Sequence, residues 1–219
     1  MKIFTFQDSL LGKKEYKDIR LEKLREKFKS AKVSFYRAEF TNEDIFSCDC
    51  VLIRKDKLLD LIIEDMEKIE SLWGRVEEKI LKKVYQTLEE GKPLAGNLTE
   101  EEINQLKSYN LVTLRPVVFL KEKFLWEDIF KAMHLIFFFT ANKNEARAYC
   151  VREGTDIVSC AAKIHTDLAK GFIRAEVFNC QDLDKFSNIE EARSKGLLKT
   201  VGKDYIVNDG DVINIKFKV

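Results

Sequence analysis

The middle of the chain carries a helical pattern of apolar residues. Between residues 58 and 91, apolar side chains recur every three or four positions, with Glu and Lys between them. This is the period of an amphipathic helix. Gly91 and Pro93 end the pattern, and Thr99 is placed to cap a further short helix that has acidic residues in its first turn. We therefore predict a helical arm over residues 56–110, either with one long helix or with a hairpin broken near Gly74.

Shorter, strand-like patterns follow the arm. A β-branched run over residues 111–120 predicts a buried strand. The apolar runs 135–139 and 145–151 flank the polar segment TANKN and predict a hairpin. Residues 156–169 have one apolar stripe at helical spacing, so we predict a single helix there, capped by Thr155 or Asp156 and closed by Gly171.

The last part of the chain returns to strands. Over residues 172–178 the pattern alternates, with Ile173, Ala175 and Val177 predicted on the buried face. Arg174 then faces solvent. A final hairpin, DYIVNDGDVINIKFKV, is predicted to turn at Asp209 and Gly210, and the order strand, strand, helix, strand, hairpin predicts a small sheet that grasps one helix.

Composition narrows the class of protein. The chain has 219 residues, 45% of them hydrophobic, enough for one large or two small domains. Charged residues make up 34% but nearly cancel to +1, so no global field directs the protein to nucleic acid or membrane. Because the apolar run 135–139 is too short to cross a bilayer and the N-terminal sequence lacks the pattern of a signal peptide, we expect a cytoplasmic protein with no membrane partner.

The cysteines give no sign of a metal or disulfide site. They are five in number and contain no CxxC pair, which argues against a disulfide framework and a zinc site. We expect reduced, mostly buried thiols and no bound metal.

Several segments resemble one protein family. EARAY, AAKIHTD, GFIRAEV and GKDYIVNDGDVI resemble the C-terminal TGS domain of the YchF-type, Obg-like GTPases, while QTLEEGKP and LVTLRPVVF resemble that family's helical insertion and the strand that follows it. The resemblance implies an α+β fold: a β-grasp (ubiquitin-like) TGS domain over residues 135–219, and a reduced α/β G-domain region over 1–134 that carries the arm.

The nucleotide motifs of that family are missing from these residues. A P-loop needs GxxxxGK[ST], because its glycines let backbone N–H groups surround the phosphates. The early Gly-Lys pair lies in SLLGKKEY, which has neither the first glycine nor the hydroxyl residue. The segments EFTNED and FLKEKF likewise lack the glycine of DxxG and the asparagine of the base-recognition motif. We therefore expect a non-catalytic chain that does not bind nucleotide, with no catalytic residues and no cofactor.

His165 and Asp167 are the first candidates for a catalytic or metal site. On one continuous helix, residues two apart point about 200° apart, so the pair would share neither a proton nor a metal. We expect His165, beside the apolar stripe, either to pack or to make a backbone hydrogen bond, and Asp167 to form an ordinary ion pair with Lys163.

The resemblance implies a binding function. TGS domains are linked with RNA and ribosome partners, and Lys163 and Lys170 fall on one stripe of the predicted helix with Arg174 close behind. We therefore expect an RNA- or ribosome-binding module that contacts phosphate through Lys163, Lys170 and Arg174. No DNA partner is expected. The alternative is a protein-interaction or regulatory module that uses the β-grasp edge or the helical arm; residual GTP or ATP binding is the weaker third reading.

Overall fold

The computed structural model describes residues 1–122 and 124–218. Its strands are β1 (Lys2–Thr5), β2 (Gly12–Tyr16), β3 (Lys32–Ser34), β4 (Tyr36–Thr41), β5 (Cys50–Ile53), β6 (Val117–Phe119), β7 (Leu135–Ala141), β8 (Glu145–Arg152), β9 (Phe172–Asn179), β10 (Lys199–Val201) and β11 (Asp211–Phe217). Its helices are α1 (Ile19–Phe28), α2 (Leu58–Glu70), α3 (Glu78–Glu89), α4 (Glu100–Leu106), α5 (Trp126–Ala132), α6 (Ile157–Ile164), α7 (Thr166–Lys170) and α8 (Ile189–Ser194).

The chain forms two compact units. Unit 1 comprises Met1–Lys14 and Ala38–Met133, and unit 2 comprises Glu15–Arg37 and His134–Val219. Segment 15–37, which the sequence analysis placed in the N-terminal region, thus belongs to unit 2. Each unit is associated with one sheet, and the predicted α+β class is confirmed.

A five-stranded sheet, in the order β2-β4-β1-β5-β6, underlies unit 1. Strand β1 pairs in parallel with β4 and β5, and β5 pairs in parallel with β6. All four residues of β5 are buried, as expected of a central parallel strand covered on both faces.

The helical arm of unit 1 is divided rather than continuous. Helix α2 ends at Glu70 and α3 begins at Glu78, and between them Gly74 has a φ of 80°, a conformation that glycine adopts without strain. The buried faces of both helices pack in one apolar cluster with the residues around Leu94 and Leu106. The predicted cap of α4 is also present: Thr99 accepts a hydrogen bond from the Glu102 N–H, and Glu102 accepts one from the Thr99 N–H.

The predicted strand over 111–120 is wrong for its first half. Residues 112–114 form a 3₁₀ turn, and β6 is confined to Val117–Phe119. Asp65 of α2 accepts hydrogen bonds from the Val112 N–H at 2.7 Å and the Thr113 N–H at 2.8 Å, so these donors are not free for a strand ladder. Burial raises the pKa of Asp65, although the hydrogen bonds from Thr113 and Val112 oppose that shift.

A six-stranded mixed sheet, in the order β10-β9-β11-β7-β8-β3, forms the centre of unit 2. The first predicted hairpin is present as β7 and β8, with a register that runs from Leu135 opposite Arg152 to Ala141 opposite Ala146. The final predicted hairpin is wrong, because residues 202–210 form no strand and β11 pairs with β9 and β7 instead. Helix α6 packs on one face of the sheet through a cluster that includes Phe138, Cys160 and Ile213.

Helix α1 contacts β7 and β8 within the same unit, and its Phe28 ring stacks on Phe178 of β9 with 6.2 Å between ring centroids. Phe178 and Phe137 lie at positions of β9 and β7 that alternate with the α6-facing residues, so α1 covers part of the opposite face.

Arg20 connects α1 to the C-terminal strands of unit 2. Its guanidinium forms hydrogen bonds with the buried Asp18 carboxylate, at 2.7 Å for the shortest, and an ion pair with Asp209. Asp209 in turn accepts a hydrogen bond from the Phe137 N–H at 2.8 Å, and the guanidinium carbon of Arg20 lies 5.1 Å from the centre of the Phe139 ring. Burial would lower the pKa of Arg20, but its hydrogen bonds to the two carboxylates raise that pKa overall.

We expect Arg20→Ala to destabilise unit 2 by about 2 kcal/mol, because it leaves Asp18 buried without its cation. Urea unfolding followed by circular dichroism measures the change. Arg25→Ala is the matched control, since Arg25 lies on the same helix in an exposed i,i+3 pair with Glu22, a pair of the kind worth about 0.5 kcal/mol or less. Equal unfolding midpoints for the two variants would contradict this role of Arg20.

Candidate nucleic-acid interface

The helix predicted over 156–169 begins as expected but is not continuous. Asp156 caps α6 by accepting hydrogen bonds from the Val158 and Ser159 N–H groups, both at 2.9 Å. At His165, however, the backbone is extended, with φ −162° and ψ 140°. The single-helix prediction is therefore wrong, because α6 ends at Ile164 and α7 is a separate helix.

His165 and Asp167 approach each other at this break. The His165 Nδ1 atom accepts a hydrogen bond from the Asp167 N–H at 3.2 Å and lies 3.4 Å from an Asp167 carboxylate oxygen. The expectation that the two side chains point apart is wrong, since it required helical geometry at His165. Both side chains are largely exposed, and His165 serves as the N-cap of α7.

The three predicted phosphate-binding residues lie on three different elements. Lys163 is in the last turn of α6, Lys170 is the last residue of α7, and Arg174 is on β9. All three are exposed. Within residues 1–122 and 124–218, none of them has an ion pair or a side-chain hydrogen bond to another residue, and the expected pair of Lys163 with Asp167 is not formed.

The structure brings Lys170 and Arg174 beside strand β11. The Lys218 N–H donates to the Gly171 carbonyl at 2.9 Å, which holds the end of α7 against the end of β11. A Cβ atom at position 171 would lie only 2.0 Å from the Lys218 carbonyl oxygen, so this approach requires glycine. Lys163 lies one helix earlier, on the other side of the break at His165.

Lys216 joins Arg174 through strand pairing. The two residues are directly opposite each other in the antiparallel β9–β11 pair. Lys216 also forms an ion pair with Glu176 at 3.1 Å. Sequence reasoning missed Lys216 because its partner depends on the register between two strands far apart in the chain.

A bulge at the same place exposes Ile173. Lys216 faces Arg174, but the next residue of β11, Phe217, faces Phe172. The extra residue on β9 is Ile173, which is 56% exposed, whereas Phe172 is buried. The prediction of Ile173 on the buried face is therefore wrong, because alternation does not continue through a bulge.

Lys170, Ile173, Arg174, Lys216 and Phe217 together form the sheet-end surface. Ile173 and Phe217 are 56% and 41% exposed, so apolar area lies among the cations. Proteins that bind single-stranded nucleic acid combine cations, which contact the phosphates, with exposed aromatic rings, which stack on the bases.

Glu176 limits the positive charge of this surface. Its carboxylate accepts hydrogen bonds or ion pairs from Arg193, Lys216 and Asn214. Partial burial would raise the pKa of Glu176, but hydrogen bonds from Lys216 and Arg193 hold it below its ordinary value. Glu176 is therefore an anion at neutral pH that partly neutralises Lys216, and in the described part of the chain Arg174 has no such carboxylate partner.

A separate crevice lies in unit 1 at the carboxyl ends of the parallel strands β1 and β5. Its volume is about 220 Å³, and it is lined by Thr5, Gln7, Arg54 and Lys57 among others. Such crevices are the usual ligand sites of parallel sheets. The loop after β1 has no glycine before Gly12, so it lacks the first glycine of a P-loop.

The thiols are unsuited to catalysis. All five cysteines are buried and free, and burial raises the pKa of Cys50 to about 12, so this thiol stays protonated at neutral pH. In the part of the chain that the structure describes, no cluster of three or more His, Cys, Asp or Glu side chains is arranged to hold a metal ion. Nor is any described helix long and apolar enough to cross a membrane.

These features define an α+β protein with an uncovered basic surface at one end of its C-terminal sheet. Comparison with known proteins identifies relatives of the chain. Residues 135–218 match the family model YchF-GTPase_C, described as a protein of unknown function (DUF933). The chain is 40% identical to the ribosome-binding ATPase YchF of Mycoplasma genitalium over 41% of this chain and 24% of that protein. It is 29% identical to the Obg-like ATPase 1 of Caenorhabditis elegans over 76% of this chain and 59% of that protein.

A solved structure has a similar fold. The YchF GTPase of Schizosaccharomyces pombe matches with a TM-score of 0.74 and 20% sequence identity, over 93% of this chain and 86% of that one. The chain spans between about a quarter and three-fifths of the length of the two curated relatives given above. The resemblance is confirmed for the C-terminal region, residues 135–218, which matches the YchF family model.

The expectation of a non-enzymatic protein is wrong. The relatives are named ATPases, which points to a nucleotide-hydrolysing family. That expectation rested on motifs missing from these 219 residues, and missing motifs do not by themselves decide the class of the family.

We expect Glu176→Gln to reduce stability at neutral pH but not in acid. Because the folded pKa of Glu176 lies below its ordinary value of 4.5, its stabilisation is present above that value and is lost as the pH falls through the folded pKa. Urea unfolding at pH 7 and pH 3 tests this. Glu153→Gln, at an exposed position, is the control; a pH-independent difference between Glu176→Gln and the parent would contradict the assignment.

Proposed function

We propose that the protein associates with ribosomes by binding ribosomal RNA through the sheet-end surface, with Lys163 as a peripheral contact. The name of the Mycoplasma genitalium relative, a ribosome-binding ATPase, supports the partner. The side chains of Lys170 and Arg174 are exposed and, among residues 1–122 and 124–218, have no ion-pair partner, which supports the surface.

The pairing of Arg174 with Lys216 is the observation that carries the proposal. Like charges directly opposite on neighbouring strands destabilise a sheet, and only Lys216 has a carboxylate partner, Glu176, within the described residues. An RNA phosphate would supply the missing anion. Such a contact would release counterions and make the affinity steeply dependent on salt.

The domain assignment belongs to the same proposal. We propose that residues 135–219 are a TGS-like β-grasp domain and residues 1–134 a G-domain-like α/β region that carries the arm 56–110. The packing of α6 on the six-stranded sheet supports the first assignment, and the parallel order β4-β1-β5-β6 supports the second. Every residue of the sheet-end surface lies in unit 2, and we propose that its contact with RNA needs no nucleotide bound to unit 1. A ribosome partner supports a cytoplasmic location, which is part of the same proposal.

Protein binding through the arm is the second candidate function. Leu59 and Ile63 lie one turn apart on α2 and are 60% and 48% exposed. The acidic residues Asp60, Glu64 and Glu67 lie on the same helix. A basic protein segment with an apolar anchor fits this face of α2.

We expect the double charge reversal Lys170→Glu/Arg174→Glu to abolish ribosome association. Each lost phosphate contact should flatten the dependence of log affinity on log salt by about one unit. Co-sedimentation with ribosomes and a salt series of binding to ribosomal RNA, with and without ATP, are the measurements.

The matched control is Arg75→Glu/Lys79→Glu in unit 1, which makes the same change in net charge at exposed positions. It should bind like the parent. Equal loss in both variants would mean that net charge alone governs binding, and unchanged binding of Lys170→Glu/Arg174→Glu would exclude the sheet-end surface. Loss on Leu59→Asp instead would favour the arm.

A further inference from the structure

A second cavity, in unit 2, is lined by aromatic rings and by lysine side chains. It has a volume of about 430 Å³ and is lined by Lys27, Phe28, Lys29, Lys143, Phe186 and the segment 187–189. This volume lies within the roughly 300–1,000 Å³ typical of ligand pockets. None of the sheet-end residues lines it.

The walls of the pocket are fixed by contacts behind them. Phe28 stacks on Phe178, and Phe178 meets Phe186 edge to face with 5.3 Å between ring centroids. Lys27 donates to the backbone carbonyls of Leu183 and Phe186 and lies 4.7 Å from the centre of the Phe186 ring. The Lys27 ammonium group is thus already bonded to the wall of the pocket.

Lys29 and Lys143 differ from Lys27 in their contacts. Both are exposed at the edge of the pocket. Among residues 1–122 and 124–218, neither ammonium group has a carboxylate or hydrogen-bond partner. Two lysines that line one pocket are suited to bind a phosphate group.

The backbone conformation of Lys29 supports a binding role for its side chain. Lys29 follows the last residue of α1 with φ 51° and ψ 43°, in the left-handed region. Glycine is the preferred residue at this position of a helix end, and a lysine there is strained. Strained residues that persist in this way are concentrated at binding sites.

The polar groups of the opposite wall favour a base over a hydrocarbon chain. The backbone N–H of Ser187 donates to Glu191 at 2.7 Å, and Asn188 Oδ1 accepts from the Glu191 N–H at 2.9 Å. These contacts fix the segment and leave the Ser187 hydroxyl and the Asn188 amide N–H₂ free, within the described part of the chain, to bond the edge of a base. A lipid tail would use neither group.

We propose that this pocket binds a single nucleotide, with its base against Phe28 and its phosphate between Lys29 and Lys143. The same chemistry is offered by a free nucleoside monophosphate and by an unstacked nucleotide of single-stranded RNA. The site is independent of the sheet-end surface and does not rest on the function proposed above.

The test uses the full chain with AMP, inorganic phosphate and a short fluorescent oligoadenylate as probes, in titration calorimetry and fluorescence anisotropy. We expect Lys29→Gly and Lys143→Ala each to weaken binding about tenfold. Lys29→Gly should melt at the same temperature as the parent or higher, because glycine relieves the strain at this position. A structural role for Lys29 would not produce that combination.

Three controls separate the alternatives. Lys23→Ala removes an exposed charge from the same helix and should bind like the parent. Arg54→Ala, at the crevice of unit 1, should not affect AMP binding at this pocket. Lys170→Glu/Arg174→Glu should retain AMP, so failure of the sheet-end proposal and failure of this one are distinguishable.

AMP binding that is lost in Lys29→Gly would support a site for free nucleotide, whereas oligoadenylate binding alone would support an RNA strand. Several outcomes would overturn the proposal: no binding of either probe to the parent, parental affinity in Lys29→Gly and Lys143→Ala, or phosphate binding as tight as AMP binding.

Discussion

The ion pairs of Arg20 hold together segments of unit 2 that lie almost two hundred residues apart in sequence. Asp18 orients the guanidinium and caps α1, while Asp209 joins it to the turn before β11 and to the backbone of β7. Because Asp18 is buried, this arrangement is stable only while its cation is present. The placement of α1 on the six-stranded sheet depends on it.

The sheet-end surface is what this packing leaves uncovered. Helices α1 and α6 are each in contact with strands of the sheet, yet Lys170, Arg174 and Lys216 remain exposed. The hydrogen bond from Lys218 to Gly171 and the bulge at Ile173 set the positions of these side chains. Glu176 neutralises only part of the positive charge of this surface. A phosphate group can therefore bind these cations.

Local signals predicted much of the fold. The N-cap at Asp156, the capping box at Thr99 and the β7–β8 hairpin each depend on residues close in sequence, and they were predictable for that reason. The break at His165 was not, since a histidine that caps a helix has no strong sequence pattern. Three other features depend on contacts between segments that are distant in sequence, and hydrophobic periodicity does not predict such contacts. They are the pairing of Lys216 with Arg174, the bulge at Ile173 and the packing of α1 in unit 2.

The most direct test of the account is to replace Ile173 with a photoreactive azidophenylalanine and irradiate the protein in the presence of ribosomes. Ile173 is more than half exposed and lies next to Arg174, so the replacement disturbs neither the core nor the cations. The account predicts a cross-link to ribosomal RNA that disappears at high salt. A cross-link to ribosomal protein alone, or none at all while the protein still co-sediments with ribosomes, would contradict it.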